Sequence, residues 1–168
     1  MPDLAWWLEH FERTAFRLET LPEYNVPQEA EMLAAFKRGE PVSLPDDHPW
    51  LVRVRRHVSS GKLMRRVRVV RAPLSDYLRM EMSWYRKSVE AGEDVRVADL
   101  DDHQELTDCK QDFWLFDESV VVTLRYDADG RFLGTDTPTS CQTYVEQRDL
   151  ALAHSMELSA YTARATGD

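Results

Sequence analysis

An α/β fold in a single domain, built on a mixed sheet with helices packed on it, is what this sequence predicts. Three stretches carry that expectation. The segment from Asp112 to Gly130, DFWLFDESVVVTLRYDADG, holds two apolar runs separated by Asp117-Glu118-Ser119 and closed by a DADG turn, the pattern of a central β-hairpin. A basic run, a helix and a short apolar run follow one another between Leu63 and Leu100, which makes one βαβ unit. The two ends of the chain show helical spacing, and the last of these helices is expected to be long.

Taken in order, Leu4, Trp7, Leu8 and Phe11 stand at i, i+3, i+4 and i+7, one stripe of an amphipathic helix. In TAFRLET, Phe16 and Leu18 alternate with Arg17 and Glu19, a strand pattern. Pro27 suits the first turn of a helix running to about Arg38, with Met32, Leu33 and Phe36 on one face and Gly39 as its stop. From Pro49 a further helix is expected, because Trp50, Val54 and Val58 are spaced by four and Gly61 follows, although the VRVR alternation also suits a strand.

Leu63 to Ala72 reads as a strand with Val67 and Val69 on one face and Arg66, Arg68 and Val70 on the other, stopped by Pro73. Ser75 caps a helix whose apolar stripe is Leu78, Met82, Tyr85 and Val89, and Gly92 ends it before the strand DVRVADL. In the hairpin, Phe113 and Leu115 face one way and Trp114 and Phe116 the other. Thr137 and Pro138 then open the long terminal helix, with Cys141, Val145, Leu152 and Met156 on one side. The expected organisation is one globular domain over residues 1–162, mainly helical in 1–60 and α/β in 63–161, with 163–168 as a tail.

With 168 residues the chain can bury roughly 70% of its unfolded surface. It is 43% hydrophobic and 30% charged, with no apolar run approaching the roughly 20 residues that span a bilayer, so no membrane segment is expected. MPDLAWWLEHFERTAF lacks the basic start and cleavage site of a secretory signal, which points to the cytoplasm. Cys109 and Cys141 are far apart and in no metal-binding spacing, so two reduced thiols are expected. A net charge of −9 speaks against direct nucleic-acid binding.

The charge is uneven. From His48 to Ser75 there is no acid, yet Arg53, Arg55, Arg56, Lys62, Arg65, Arg66, Arg68 and Arg71 lie there. Such an island serves an anion or an acidic partner, or is neutralised internally by the acids that follow it between Glu90 and Asp112, and internal pairing is the commoner outcome. Glu81 shares a helix face with Tyr77, Trp84 and Ser88 beside the apolar stripe, so its carboxylate is expected to be partly buried and paired with Arg66 or Arg68. The expected ligand-facing group is therefore Arg66, Arg68, Glu81, Tyr85, Trp114 and Asp117, receiving a small anionic ligand. Of Arg53, Arg55 and Arg56, at least two are expected to be solvated and free to meet an acidic protein partner or a phosphate.

No stretch carries a complete catalytic motif, and neither a cofactor nor a metal is expected. The acidic loop Asp99 to Asp112 lacks the ligand order of a calcium loop, as does Asp127 to Gly130. His103 with Cys109, or His57 with any acid, is not framed as a nucleophile and base. The motifs HFERTAFRLET, RRVRVVRAPLSDYLRMEMSWY, AGEDVRV, DFWLFD, YDADGRFLG and QRDLALAHS together resemble an actinobacterial family of unknown function often encoded near helix-turn-helix regulators. The order of strand, helix, strand and hairpin also resembles half of a phospholipase D type fold, but that family works through His-x-Lys, which this chain does not contain. The resemblance implies a non-enzymatic regulatory or ligand-sensing module acting with a partner protein such as a helix-turn-helix regulator. The alternative is a small biosynthetic or phosphate-handling enzyme using the arginine, glutamate and tryptophan group.

Overall fold

A computed structural model describes residues 1–167. Helix α1 (Leu4–His10), capped by the Asp3 carboxylate, leads into strand β1 (Thr14–Glu19). A 3-10 turn at Pro27–Glu29 opens α2 (Ala30–Lys37), and α3 (Pro49–Ser59) follows with Pro49 in its first turn, which settles the VRVR stretch as helix. Strand β2 (Leu63–Val70), helix α4 (Asp76–Ala91) and strand β3 (Asp94–Asp99) form the expected βαβ unit, with the Ser75 hydroxyl accepting the Leu78 N–H at the start of α4. The hairpin strands are β4 (Asp112–Phe116) and β5 (Val120–Tyr126), and the DADG turn leads into a further, exposed strand β6 (Phe132–Asp136).

The sheet has seven strands in the order β6-β5-β4-β1-β2-β3-β7. Strands β1, β2 and β3 run parallel, while β4, β5 and β6 on one side and the two-residue β7 (Met156–Glu157) on the other are antiparallel to their neighbours. The parallel part is therefore larger than a single βαβ unit, since the chain also crosses from β1 to β2 through α2 and α3. The middle strand is β1, from the part of the chain expected to be mainly helical, so residues 1–60 share one sheet with the rest.

The expected long terminal helix is two helices. Helix α5 (Gln142–Ala153) stops at His154, β7 follows at the sheet edge, and α6 (Leu158–Thr166) runs through most of the expected tail. The break has a packing reason. Met156 and Glu157 pair with Val97 and Arg96 at the β3 edge, and Leu158 and Tyr161 then bury beside α4.

Both faces of the sheet are covered. Phe16, Leu18, Val67, Val69, Phe113 and Leu115 face α5. On the opposite face, Ala15, Met64, Trp114, Phe116 and Val122 pack against Leu51 and Val54 of α3, while Val70, Val95 and Val97 pack against Leu78, Met82 and Tyr85 of α4. Helices α3 and α4 come close where α4 ends: Gly92 has φ 111°, and a Cβ there would stand 2.8 Å from Val58.

Candidate functional site

Between those two apolar clusters the helix-covered face carries a charged strip. Alternation along β1 and β2 turns Arg17, Glu19, Arg66 and Arg68 to the same side, and the parallel register places Arg17 beside Arg66 and Glu19 beside Arg68. Helix α4 lays Tyr77, Glu81 and Tyr85, successive residues of an i, i+4, i+8 row, across the strip. The remaining members are Tyr24 from the segment after β1, Trp50 from α3, Glu93 from the turn after α4 and Asp112 from the start of β4.

Each arginine has its own acid. Arg68, fully buried, donates from Nε and Nη2 to Glu81 Oε2 at 3.1 and 3.0 Å. Arg66 donates to Glu93 Oε1 at 2.9 Å and also to Glu19. Arg17 donates to Asp112 Oδ2 at 2.9 Å, an oxygen that also accepts from the Tyr24 hydroxyl at 2.5 Å. The Arg66 guanidinium lies 5.3 Å from the ring centres of both Trp50 and Tyr85, and that of Arg68 lies 5.0 Å from Tyr24. Three donors here nevertheless lack an acceptor among the described residues: Arg17 Nη1, Arg68 Nη1 and Trp84 Nε1.

The strip floors a cleft of about 460 Å³, within the usual range of roughly 300–1,000 Å³ for small-molecule sites. Arg17, Glu19, Arg66, Glu81, Trp84 and Tyr85 are among its walls, and Gln28 and Glu29 from the 3-10 turn and Met32 from α2 also line it. The arginines are outnumbered by Glu19, Glu29, Glu81, Glu93 and Asp112, and the carboxyls respond unequally. Burial opposes ionisation of Glu19, but Arg66, Arg17 and Arg68 hold it down to about 2. Burial pushes Glu81 up to about 7, aided by the Glu19 charge and opposed by Arg68. Glu29 is also raised, by burial against the hydrogen bond from Tyr77 and with the Glu19 charge adding. The cleft thus combines donors without acceptors and more carboxyls than guanidinium groups, with Glu81 drawn by burial toward its neutral form.

Of the residues expected to face a ligand, Arg66, Arg68, Glu81 and Tyr85 come together, with Arg68 beneath the surface. Trp114 is adjacent but belongs to the core: its ring lies 5.8 Å from both Trp50 and Phe116 and 5.9 Å from the Arg17 guanidinium. Asp117 lies at the opposite end of β1. It sits in the β4–β5 turn with φ 51°, and its carboxylate accepts the backbone N–H groups of Glu12, Arg13 and Thr14 at 2.7–2.9 Å, an anchoring role. Burial raises the Asp117 carboxyl, but those three N–H groups outweigh it and hold the group below the ordinary range.

The expected free arginines are engaged. Arg53 and Arg56 both bind Glu9 of α1, and Arg55 donates to the Asp46 carbonyl, although Arg55 and Arg56 remain exposed. Of the rest of the basic island, Arg65 pairs with Asp94 and Arg71 lies near Asp101, as internal pairing predicts, whereas Lys62 donates to the Phe11 carbonyl rather than to an acid. Arg17, Glu19, Tyr24, Glu93 and Asp112 belong to the site without having been singled out in the sequence. On the α5 side of the sheet, His103, Glu105 and His154 bring donor atoms within 4.8 Å of one another.

A family model described as a domain of unknown function, DUF6879, matches residues 2–163, and the chain belongs to that family. No curated protein shows significant sequence similarity to the chain. No helix among the described residues is long and apolar enough to cross a membrane.

Proposed function

We propose that the cleft over β1 and β2 binds a small zwitterionic molecule, and that the domain is a ligand-sensing, regulatory module rather than an enzyme. The observation that carries this reading is the pairing of opposites in one cleft: unpartnered donors on the wall residues Arg17 and Trp84, and raised carboxyls on Glu81 and Glu29. A carboxylate or carbonyl supplies the acceptor that the donors lack, and an ammonium group among the acids and aromatic rings offsets the surplus negative charge. A purely anionic ligand, the expectation from the arginines alone, answers only half of this, and the dipolar reading adds a cationic group to it.

Resemblance to a family encoded near helix-turn-helix regulators supports a cytoplasmic role beside a regulatory protein partner. The exposed side of α3, with Arg55 and Arg56, is the surface proposed for that partner, because Trp50 on the same helix joins the cleft through Glu93. The likeness to half of a phospholipase D fold adds no chemistry, since His-x-Lys is lacking.

One feature favours the enzymatic alternative: Glu81 is a buried carboxyl raised by desolvation at the wall of the cleft, an environment suited to general acid or base work. Thermal-shift measurements with free amino acids, their amides, simple amines, acetate and phosphate test the first reading, and assays on phosphate mono- and diesters test the second. Stabilisation by a dipolar compound without ester turnover is expected. Stabilisation by phosphate alone together with turnover that is lost in Glu81→Gln would replace the sensing reading with the enzymatic one.

A further inference from the structure

We propose that His103, Glu105 and His154 form a binding site for one divalent transition-metal ion, with zinc the metal best matched to two imidazoles and one carboxylate. The three residues come from separate places: His103 and Glu105 from the loop after β3, and His154 from the C-cap of α5. Their donor atoms lie within 4.8 Å of one another, and the two imidazole rings are 4.8 Å apart. Zinc holds such ligands at about 2.0–2.2 Å, which puts tetrahedral donors roughly 3.4 Å from each other, so side-chain rotation of about an ångström closes the site.

A second observation is independent of the spacing. Among the described residues, none of these three side chains takes part in a hydrogen bond or an ion pair, whereas neighbouring acids are engaged: Asp102 accepts from Arg164 at 2.5 Å, and Asp101 lies 3.7 Å from Arg71. Three donors of metal-binding type face one another without another partner. The surroundings also favour a cation. Helix α5 ends at His154, at the negative end of its dipole and with no basic residue in its last turn, and Asp99, Asp101 and Asp102 lie in and beside the loop. The break in the C-terminal helix thus acquires a consequence, because it leaves His154 at a helix end opposite His103. A bound ion would fasten the loop after β3 to the end of α5 and keep one coordination position for water.

This site does not depend on the cleft, which lies on the other face of the sheet. The test is titration of untagged, metal-stripped protein with zinc by calorimetry, and with cobalt by visible absorption, alongside His154→Ala, Glu105→Gln and the remote control His10→Ala. The expected result is one zinc per chain, a melting temperature raised by zinc, and affinity lowered about tenfold or more in each site variant but not in the control. Glu105 is exposed and its change to Gln conservative, so that variant reports on binding even if His154→Ala folds poorly. Absence of stoichiometric zinc binding by the parent, or affinity unchanged in Glu105→Gln and His154→Ala, overturns the proposal.

Discussion

Arg68 and Glu81 meet through one oxygen: both guanidinium contacts, at 3.1 and 3.0 Å, fall on Oε2, and Oε1 has no hydrogen-bond partner among the described residues. The pair is therefore unequal. Glu81 and the tyrosines around Arg68 keep the guanidinium charged against its burial, while burial and the Glu19 charge draw Glu81 toward its neutral form.

Removing one partner should be far worse than removing both. Arg68→Met strips the buried Glu81 carboxyl of its counter-charge and its two hydrogen-bond donors and is expected to lower stability by roughly 3–5 kcal/mol. Adding Glu81→Leu to that variant should recover most of the loss, since an apolar pair of similar volume avoids the desolvation of two charges. Urea denaturation of the two variants checks this, and a double variant no more stable than Arg68→Met contradicts it.

The carboxyls set opposite slopes with pH. Glu81 is raised to about 7 in the folded state from an ordinary 4.5, so the folded form binds the extra proton and stability falls as pH rises from about 4.5 through 7. Glu19 is lowered to about 2, so its contribution is present above 4.5 and is lost as pH falls toward 2. Stability should therefore peak in mildly acidic solution. Melting temperatures of Glu81→Gln between pH 5 and 8 should lack the decline seen in the parent; equal declines in both would remove Glu81 as its cause.

Trp114 is a core residue, 6% exposed and stacked on Phe116. Trp114→Ala should cost about 3–5 kcal/mol, read as a shift of the urea midpoint at constant slope. A midpoint like that of the parent would place the indole outside the packed layer between α3 and the sheet.

Much of the fold was legible because periodicity records burial. Ser75 and Gly92 bound α4, and the in-out order of Phe113 to Phe116 matches the two layers around β4. A paired Glu81 was legible too, as a carboxylate beside an apolar stripe, but its partner was open between Arg66 and Arg68, and the structure gives Arg68. The rest of the site was not, for a physical reason. Arg17 and Glu19 alternate with Phe16 and Leu18, and alternation ordinarily marks a strand with one wet face, yet both faces of β1 are covered and the charged residues are buried. Glu93 and Asp112 follow a turn and a loop, where acids are usually solvated; their burial depends on the strand order, which sequence spacing does not encode. Asp117 showed a turn residue, but not that its carboxylate reaches across to the start of β1.

The most direct test of the central claim is native mass spectrometry of the untagged protein after exposure to a small-molecule extract, comparing the parent with Trp84→Phe and Glu29→Gln. The cleft described here should retain one small molecule carrying both a carboxylate or carbonyl and an amine, and should lose it in both variants, because one removes an unpartnered donor and the other a surplus negative charge. Retention of a purely anionic species, or of any species equally by the parent and both variants, would contradict the assignment.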